Sequence, residues 1–180
     1  LGFIYNEGQG VEQDLKTAIK WYTLAAEQEF AEAQYALGTM YEIGQGVEQN
    51  YEKSFQLFLS AAQQGHAESQ YNLGIIFQNG TLVEQDLELA YNLFLTSSEQ
   101  GFSAAQYQLG VMYANGLGIT KDENVAVEFY KLAAERGYAP AQSNLGIMYV
   151  QGRGIEQSNV FAHMWFYIAN INGYQNAGTN

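Results

Sequence analysis

The sequence contains no cysteine, which excludes disulfides, thiolate nucleophiles and thiolate metal sites while leaving the redox compartment open. Proline occurs once, at Pro140, and 47% of the residues are apolar, a composition that folds rather than staying disordered. Basic residues are scarce: 7 Lys and Arg against 19 Asp and Glu give a formal net charge of −12. Such a surface repels phosphate backbones and anionic headgroups, so neither nucleic acid nor a membrane surface is expected as a partner. Between Ser54 and Thr120 there is no Lys or Arg at all, while Glu68, Glu84, Asp86, Glu88 and Glu99 lie in that stretch. It reads as a solvated acidic face or, alternatively, as a docking surface for a basic partner. No apolar run is long enough to insert in a bilayer, and no signal peptide is visible. Because the chain opens at Leu1 inside a repeating pattern and without Met, further N-terminal sequence is expected.

Histidine is nearly as rare. His66 and His163 stand in no His-x-x-x-His or Glu-x-x-His spacing, and neither is flanked by a nucleophile motif. Asp122 and Glu123 are adjacent, and consecutive side chains on a helix point apart. No catalytic, metal or cofactor-binding residue is therefore assigned, and the chain is expected not to be an enzyme.

What the sequence does contain is a repeat. Leu-Gly recurs at Leu1-Gly2, Leu37-Gly38, Leu73-Gly74, Leu109-Gly110 and Leu145-Gly146, every 36 residues without insertion. In the same register stand the glycine pairs Gly8/Gly10, Gly44/Gly46, Gly116/Gly118 and Gly152/Gly154; the third unit keeps Gly80 but has Leu82 in the second place. These pairs follow a helix rather than a strand and lack the Lys-Ser/Thr of a phosphate loop, so they read as turns.

Each unit reads as two helices. The first, for example Ala67 to Asn79, carries apolar residues at helical spacing and ends at the glycine pair. The second, for example Leu87 to Gln100, follows an N-capping residue: Asp14, Asn50, Asp86, Asp122 or Ser158. Gly65, Gly101 and Gly137 end second helices; Glu29 takes that place in the first unit, where the turn should be strained. Gly38, Gly74, Gly110 and Gly146 lie inside first helices, where glycine costs about 1 kcal/mol against alanine. That cost implies a helix backbone too close for any Cβ, with Ala25-Ala26, Ala61-Ala62 and Ala133-Ala134 as the approaching segments. Ser97-Ser98 replaces the alanines in the third unit. Two aromatic series, Tyr5/Tyr41/Phe77/Tyr113/Tyr149 and Trp21/Phe129/Trp165, are expected in the core.

Since no unit buries its apolar face alone, stacking is required. The fold class expected is all-α, a solenoid of five 36-residue helix-turn-helix repeats. It is read as one domain over residues 1–180, with units of about 1–30, 31–66, 67–102, 103–138 and 139–173. Gly173-Tyr174-Gln175-Asn176-Ala177 then reads as the truncated start of another first helix.

The pattern Ala-x-Ala-Gln-x-x-Leu-Gly-x-x-Tyr, carried by Ala31 to Tyr41, and the segment Ala18 to Ala26 with Trp21-Tyr22 and Ala25-Ala26, resemble the Sel-one-like (Sel1-like) repeat family, relatives of the tetratricopeptide repeats. Tetratricopeptide repeats recur at about 34 residues and are the weaker match. Phe161 to Asn170 is similar to the closing second helix of bacterial members. The resemblance implies a right-handed α/α superhelical solenoid serving as an interaction scaffold or adaptor without catalysis, and an exported bacterial protein. It departs from the cysteine-rich subgroup, whose claimed penicillin-related activity does not carry over.

First helices line the inner surface of related superhelices. On that face the expected partner-binding residues are Tyr35, Thr39, Tyr71, Asn72, Ile75, Tyr107, Gln108, Val111, Asn144 and Ile147. The amides Asn72, Gln108 and Asn144 could bond a peptide backbone, donating and accepting at once, and Tyr71 and Tyr107 offer amphipathic contact area. Equally, the tyrosines could pack between units and the amides face water. The function expected is a scaffold or adaptor binding a peptide or protein element on its concave surface. The alternative is a regulatory or inhibitory subunit of an enzyme or of an envelope or secretion apparatus, acting through the acidic surface.

Overall fold

The computed structural model describes residues 1–173; Tyr174 to Ala177, read above as the start of a further helix, lie outside the described residues. Within them the chain is all-helical. The first helices of the repeats are α1 (Gly2–Glu7), α3 (Ala31–Ile43), α5 (Ala67–Asn79), α7 (Ser103–Asn115) and α9 (Ala139–Gln151). The second helices are α2 (Leu15–Ala26), α4 (Tyr51–Gln63), α6 (Leu87–Glu99), α8 (Glu123–Glu135) and α10 (Asn159–Ile171). The helices fall into two compact units, Leu1–Asp86 with α1 to α5, and the residues from Leu87 onward with α6 to α10. In each, every helix packs against the next in sequence.

Helix starts follow the capping residues. The Asp14 carboxylate accepts from the backbone N–H groups of Lys16 and Thr17, and Asp122 does the same for Asn124 and Val125. Asn50 and Ser158 accept from Lys53 and Phe161. The Thr17 hydroxyl also donates to Asp14, and these bonds hold that carboxyl below its usual pKa.

The two glycines of each pair have separate jobs. Gly44 ends α3 in a left-handed conformation, φ 74°, with its N–H on the Met40 carbonyl. The second glycine makes room: a Cβ on Gly46 would lie 2.7 Å from Leu15 Cβ, and one on Gly118 would lie 2.5 Å from Leu87 Cβ. A Cβ on Gly154 would overlap the Glu123 carbonyl. The second glycine thus lets one repeat's turn sit on the start of the preceding repeat's second helix. A recurring glutamine completes the turn. Gln13, Gln49, Gln85 and Gln157 each donate from Nε2 to a carbonyl near the end of the preceding first helix, at 2.7 to 2.8 Å.

Glu29 stands at φ 63°, the one described non-glycine residue with positive φ. The corresponding Gly65 and Gly137 have φ 89° and 84°. The expected strain is present.

The glycines inside the first helices answer to side chains, a correction to the expected backbone approach. A Cβ on Gly38 would meet Phe58 at 2.9 Å, one on Gly110 would meet Tyr130 at 2.6 Å, and one on Gly146 would meet Phe166 at 2.6 Å. The close neighbour is an aromatic ring from the second helix of the same repeat. A second correction follows. The deepest aromatics are Phe58, Phe94 and Tyr130, one residue beyond the Trp21/Phe129/Trp165 series; Trp21 is exposed, and Phe129 and Trp165 are half-buried. The first-helix series from Tyr5 to Tyr149 is half-buried as well.

A buried glutamine ties each second helix to the next first helix. Gln142 donates to the Ala134 carbonyl at 2.9 Å, and Gln34, Gln70 and Gln106 reach Ala26, Ala62 and Ser98 at 3.4 to 3.5 Å. The side-chain oxygens of Gln34 and Gln142 accept from Gln64 and Asn172. Arg136, in the corresponding place, bonds the Leu132 carbonyl, leaving Gln106 Oε1 buried without a partner in the chain.

Candidate functional site

All ten residues expected on the partner-binding face are half-buried, and the two compact units carry them separately. In the first unit, Tyr35 and Thr39 lie on α3, and Tyr71, Asn72 and Ile75 on α5. Tyr35 packs on Phe58 and His66, with ring centroids 5.9 and 4.8 Å away, and burial pushes its phenol pKa up. Thr39 donates to the Tyr35 carbonyl at 3.1 Å, so its hydroxyl is spent within the helix.

His66, which sequence reading left without a role, is the pivot of this corner. Its side chain is 7% exposed. Nδ1 accepts from the Ser69 N–H at 3.3 Å, capping α5, while Nε2 lies 3.2 Å from the Glu32 carboxylate. That arrangement requires the proton on Nε2. Phe30, Phe102 and Tyr138, the corresponding residues of other repeats, offer no side-chain cap. His163 is exposed on α10.

In the second unit the face is more closely knit. Tyr107 on α7 packs on Tyr130 and Tyr138, at centroid distances of 5.8 and 5.4 Å. Asn144 on α9 donates to the Tyr107 hydroxyl at 3.5 Å. Burial raises the Tyr130 pKa to about 12. Tyr113 is raised to about 12 as well, first by its hydrogen bond with Tyr91, whose hydroxyl lies 3.0 Å away. Tyr130, Asn144, Ile147 and Arg153 line a cleft of about 150 Å³. Arg153 is fixed there by Glu123, which accepts from Nε and Nη2 at 2.9 and 2.8 Å, while Lys121 pairs with the same oxygen at 2.8 Å. The Arg153 bonds, then that of Lys121, hold the Glu123 carboxyl below its usual pKa.

The structure thus gives the tyrosines Tyr35 and Tyr107 to packing and engages one amide, Asn144. No side-chain hydrogen bond joins Asn72 or Gln108 to the chain among the described residues. Both amides are half-buried on the first-helix face, beside the half-buried Ile75 and Val111. Sequence reading missed His66, Tyr130 and Tyr138 as supports of the face. His66 and Tyr138 stand just after the second helix of their repeats and Tyr130 on the second helix itself, and only the packing brings them to the tyrosines. Among the described residues no group of three His, Asp or Glu could hold a metal ion, and no helix is long and apolar enough to cross a membrane.

Paired helices at a fixed period, closed by glycine turns and sharing core between neighbours, define an α-helical repeat scaffold. The Sel1 repeat matches over residues 1–30, 31–66, 67–102, 103–138 and 139–174, and the chain belongs to the Sel1 repeat family. A Sel1 repeat protein from Oxalobacter formigenes is 34% identical, with a TM-score of 0.93 over 98% of this chain and 70% of that one. A protective antigen of uropathogenic Escherichia coli strains, c5321, is 32% identical with a TM-score of 0.86; the match covers 96% of this chain but 37% of the antigen. The immunity protein PA5088 from Pseudomonas aeruginosa shares the fold at 17% identity and a TM-score of 0.67, over 98% of this chain and 66% of that one. No curated protein matches the chain. The fold is therefore an all-helical solenoid of five Sel1 repeats. Proteins of this family generally mediate protein–protein interaction through a non-catalytic scaffold.

Proposed function

We propose that the chain is a non-catalytic adaptor that binds a peptide or protein element along the face of its first helices, the concave side of the superhelix. The observation that supports this most is an amide on the first-helix face of each compact unit, Asn72 in the first and Gln108 in the second. They are half-buried amides at the same position in successive repeats, with no hydrogen bond of their own to the chain and apolar Ile75 and Val111 alongside. A half-buried amide without a partner is costly to keep dry, and an extended backbone laid across it would supply both a donor and an acceptor. The remaining face residues, Tyr35, Thr39, Tyr71, Tyr107, Asn144 and Ile147, would shape and stiffen the surface. Replacing Asn72, Gln108 and Asn144 together by alanine should weaken a validated partner by at least tenfold in a titration; unchanged affinity would refute this reading.

The charge favours a second reading, a regulatory or inhibitory subunit acting through its acidic surface. Its support is the formal net charge of −12 and the basic-free stretch from Ser54 to Thr120. Salt separates the two, because screening weakens contacts between exposed charges and leaves apolar and amide contacts largely intact. Affinity that collapses between low and high salt would favour the acidic surface. The partner is a protein in either case, and no nucleic acid or cofactor is invoked.

A further inference from the structure

Three departures from the repeat pattern converge on one cleft. Ser54 occupies the place of Ala18, Ala90, Ala126 and Ala162; Leu82 replaces the second glycine of the pair; and Glu42 stands where other repeats have Asn6, Gln78, Ala114 and Val150. Far apart in sequence, they line a cleft of about 340 Å³ with Tyr51, Ile75 and Ile76, all within the first compact unit. The solenoid does not need these residue types there, since the other repeats fold without them.

The chemistry of the cleft points to a cation. Glu42 is half-buried among Ile75, Ile76 and Leu82, and it has no ion pair among the described residues. Burial alone raises its pKa, with no neighbouring positive charge to oppose it. It also stands at the penultimate position of α3, where the helix dipole is unfavourable to a carboxylate and favourable to a cation. The nearest basic residue in sequence, Lys53, is occupied elsewhere, 5.1 Å over the ring of Tyr41. Ser54, 2% exposed, brings a hydroxyl to the cleft in place of a methyl group. Tyr51, 51% exposed, presents a ring on which a cation could rest, its hydroxyl held by Gln49 Nε2 at 2.8 Å.

We propose that this cleft receives a lysine or arginine side chain from a protein partner, with Glu42 as counter-ion, Ser54 as hydrogen-bond acceptor, Tyr51 as cation–π platform, and Ile75 and Leu82 flanking the aliphatic stem. The apolar walls suit the methylene stem of either residue, and its charged head neutralises a carboxylate otherwise left in an apolar setting. The proposal rests on the reading of the chain as a protein-binding scaffold and names the chemistry that one part of the partner must present.

The test is a titration of the whole chain with acetyl-Gly-Arg-Gly-amide and acetyl-Gly-Lys-Gly-amide, followed by amide chemical shifts at low ionic strength. The citrulline tripeptide, neutral and close in shape to the arginine one, serves as control. Shifts confined to Ser54, Thr81 and Leu82 are expected with a cationic peptide and not with citrulline. Glu42→Gln should weaken them at least tenfold with unchanged far-ultraviolet circular dichroism. The proposal is overturned by equal shifts with citrulline, by wild-type affinity in Glu42→Gln, by shifts spread over Glu68 and Glu84, or by no shifts at all. Since the readout is local to the cleft, any of these removes the cleft without touching the first-helix amides, which stand or fall on the alanine variants.

Discussion

Gly110→Ala isolates the reason glycine recurs inside the first helices. Helix propensity alone would make alanine better there by about 1 kcal/mol. The structure says the opposite. The new Cβ would lie 2.6 Å from both Cδ1 and Cε1 of Tyr130, about 1 Å inside ordinary carbon–carbon contact. The ring has little room to retreat, because Tyr130 is 3% exposed and packed in a cluster with Ala126, Ala133, Leu145 and Met148. Overpacking of this kind costs about 1–3 kcal/mol, so the net change expected is a loss of up to about 2 kcal/mol. The contrast comes from a double-mutant cycle. In a Tyr130→Ala background the clash is gone, and Gly110→Ala should then stabilise by about 1 kcal/mol, giving a coupling of about 1–3 kcal/mol. Tyr130→Ala itself costs about 3–5 kcal/mol, within the usual stability of a chain this size. Urea unfolding followed at 222 nm measures all four corners. An equal effect of Gly110→Ala in both backgrounds would refute the ring contact: an equal loss would return the explanation to a helix backbone near Ala133-Ala134, and an equal gain would exclude any close neighbour.

Three further outcomes are expected. Glu29→Gly should raise the unfolding free energy by about 1 kcal/mol by releasing the left-handed strain at φ 63°, visible as a higher melting temperature; a lower one would mean that Glu29 makes a compensating contact. Gln142→Leu should cost about 1–3 kcal/mol in urea, because it strips the Ala134 carbonyl and the Asn172 amide of their buried partner; a neutral result would show both re-paired by water. With folded pKa values of about 12 for Tyr113 and Tyr130 against 10.0 unexceptional, the unfolded chain gives up these protons first. Their stabilising contribution is complete below pH 10 and is lost as pH rises toward 12, so melting temperature should fall across that window. Tyr113→Phe and Tyr130→Phe should flatten the fall, and a slope unchanged in the double variant would contradict the assignment.

Local chemistry made most of the fold legible. The 36-residue spacing, the caps Asp14, Asn50, Asp122 and Ser158, and the left-handed turn at Glu29 each follow from a residue and its immediate neighbours. Adjacent aromatics defeated the reading. In Trp21-Tyr22, Phe129-Tyr130 and Trp165-Phe166 both members are apolar and only about 100° apart on the helix, so periodicity could not say which one enters the core. The cause of the helix glycines went astray with them, since the ring crossing Gly110 belongs to the second member of such a pair. The residues expected on the partner face were singled out by helix position alone. That Asn144 bonds Tyr107 while Asn72 and Gln108 bond no side chain was not legible, because it depends on a neighbour from another repeat. The Glu42 cleft was written in the sequence as departures from the repeat, but Glu42, Ser54 and Leu82 have no visible relation until the helices pack.

The central claim is that the first-helix face recognises a protein partner, and its most direct test is affinity capture with the wild-type chain beside Asn72→Ala/Gln108→Ala/Asn144→Ala. Captured proteins are identified by mass spectrometry, the affinity of each purified partner is titrated, and melting curves verify that both chains are folded. A partner held by the wild type and weakened at least tenfold by the variant is the predicted result. A partner bound equally by both would contradict the account and move recognition away from the first helices.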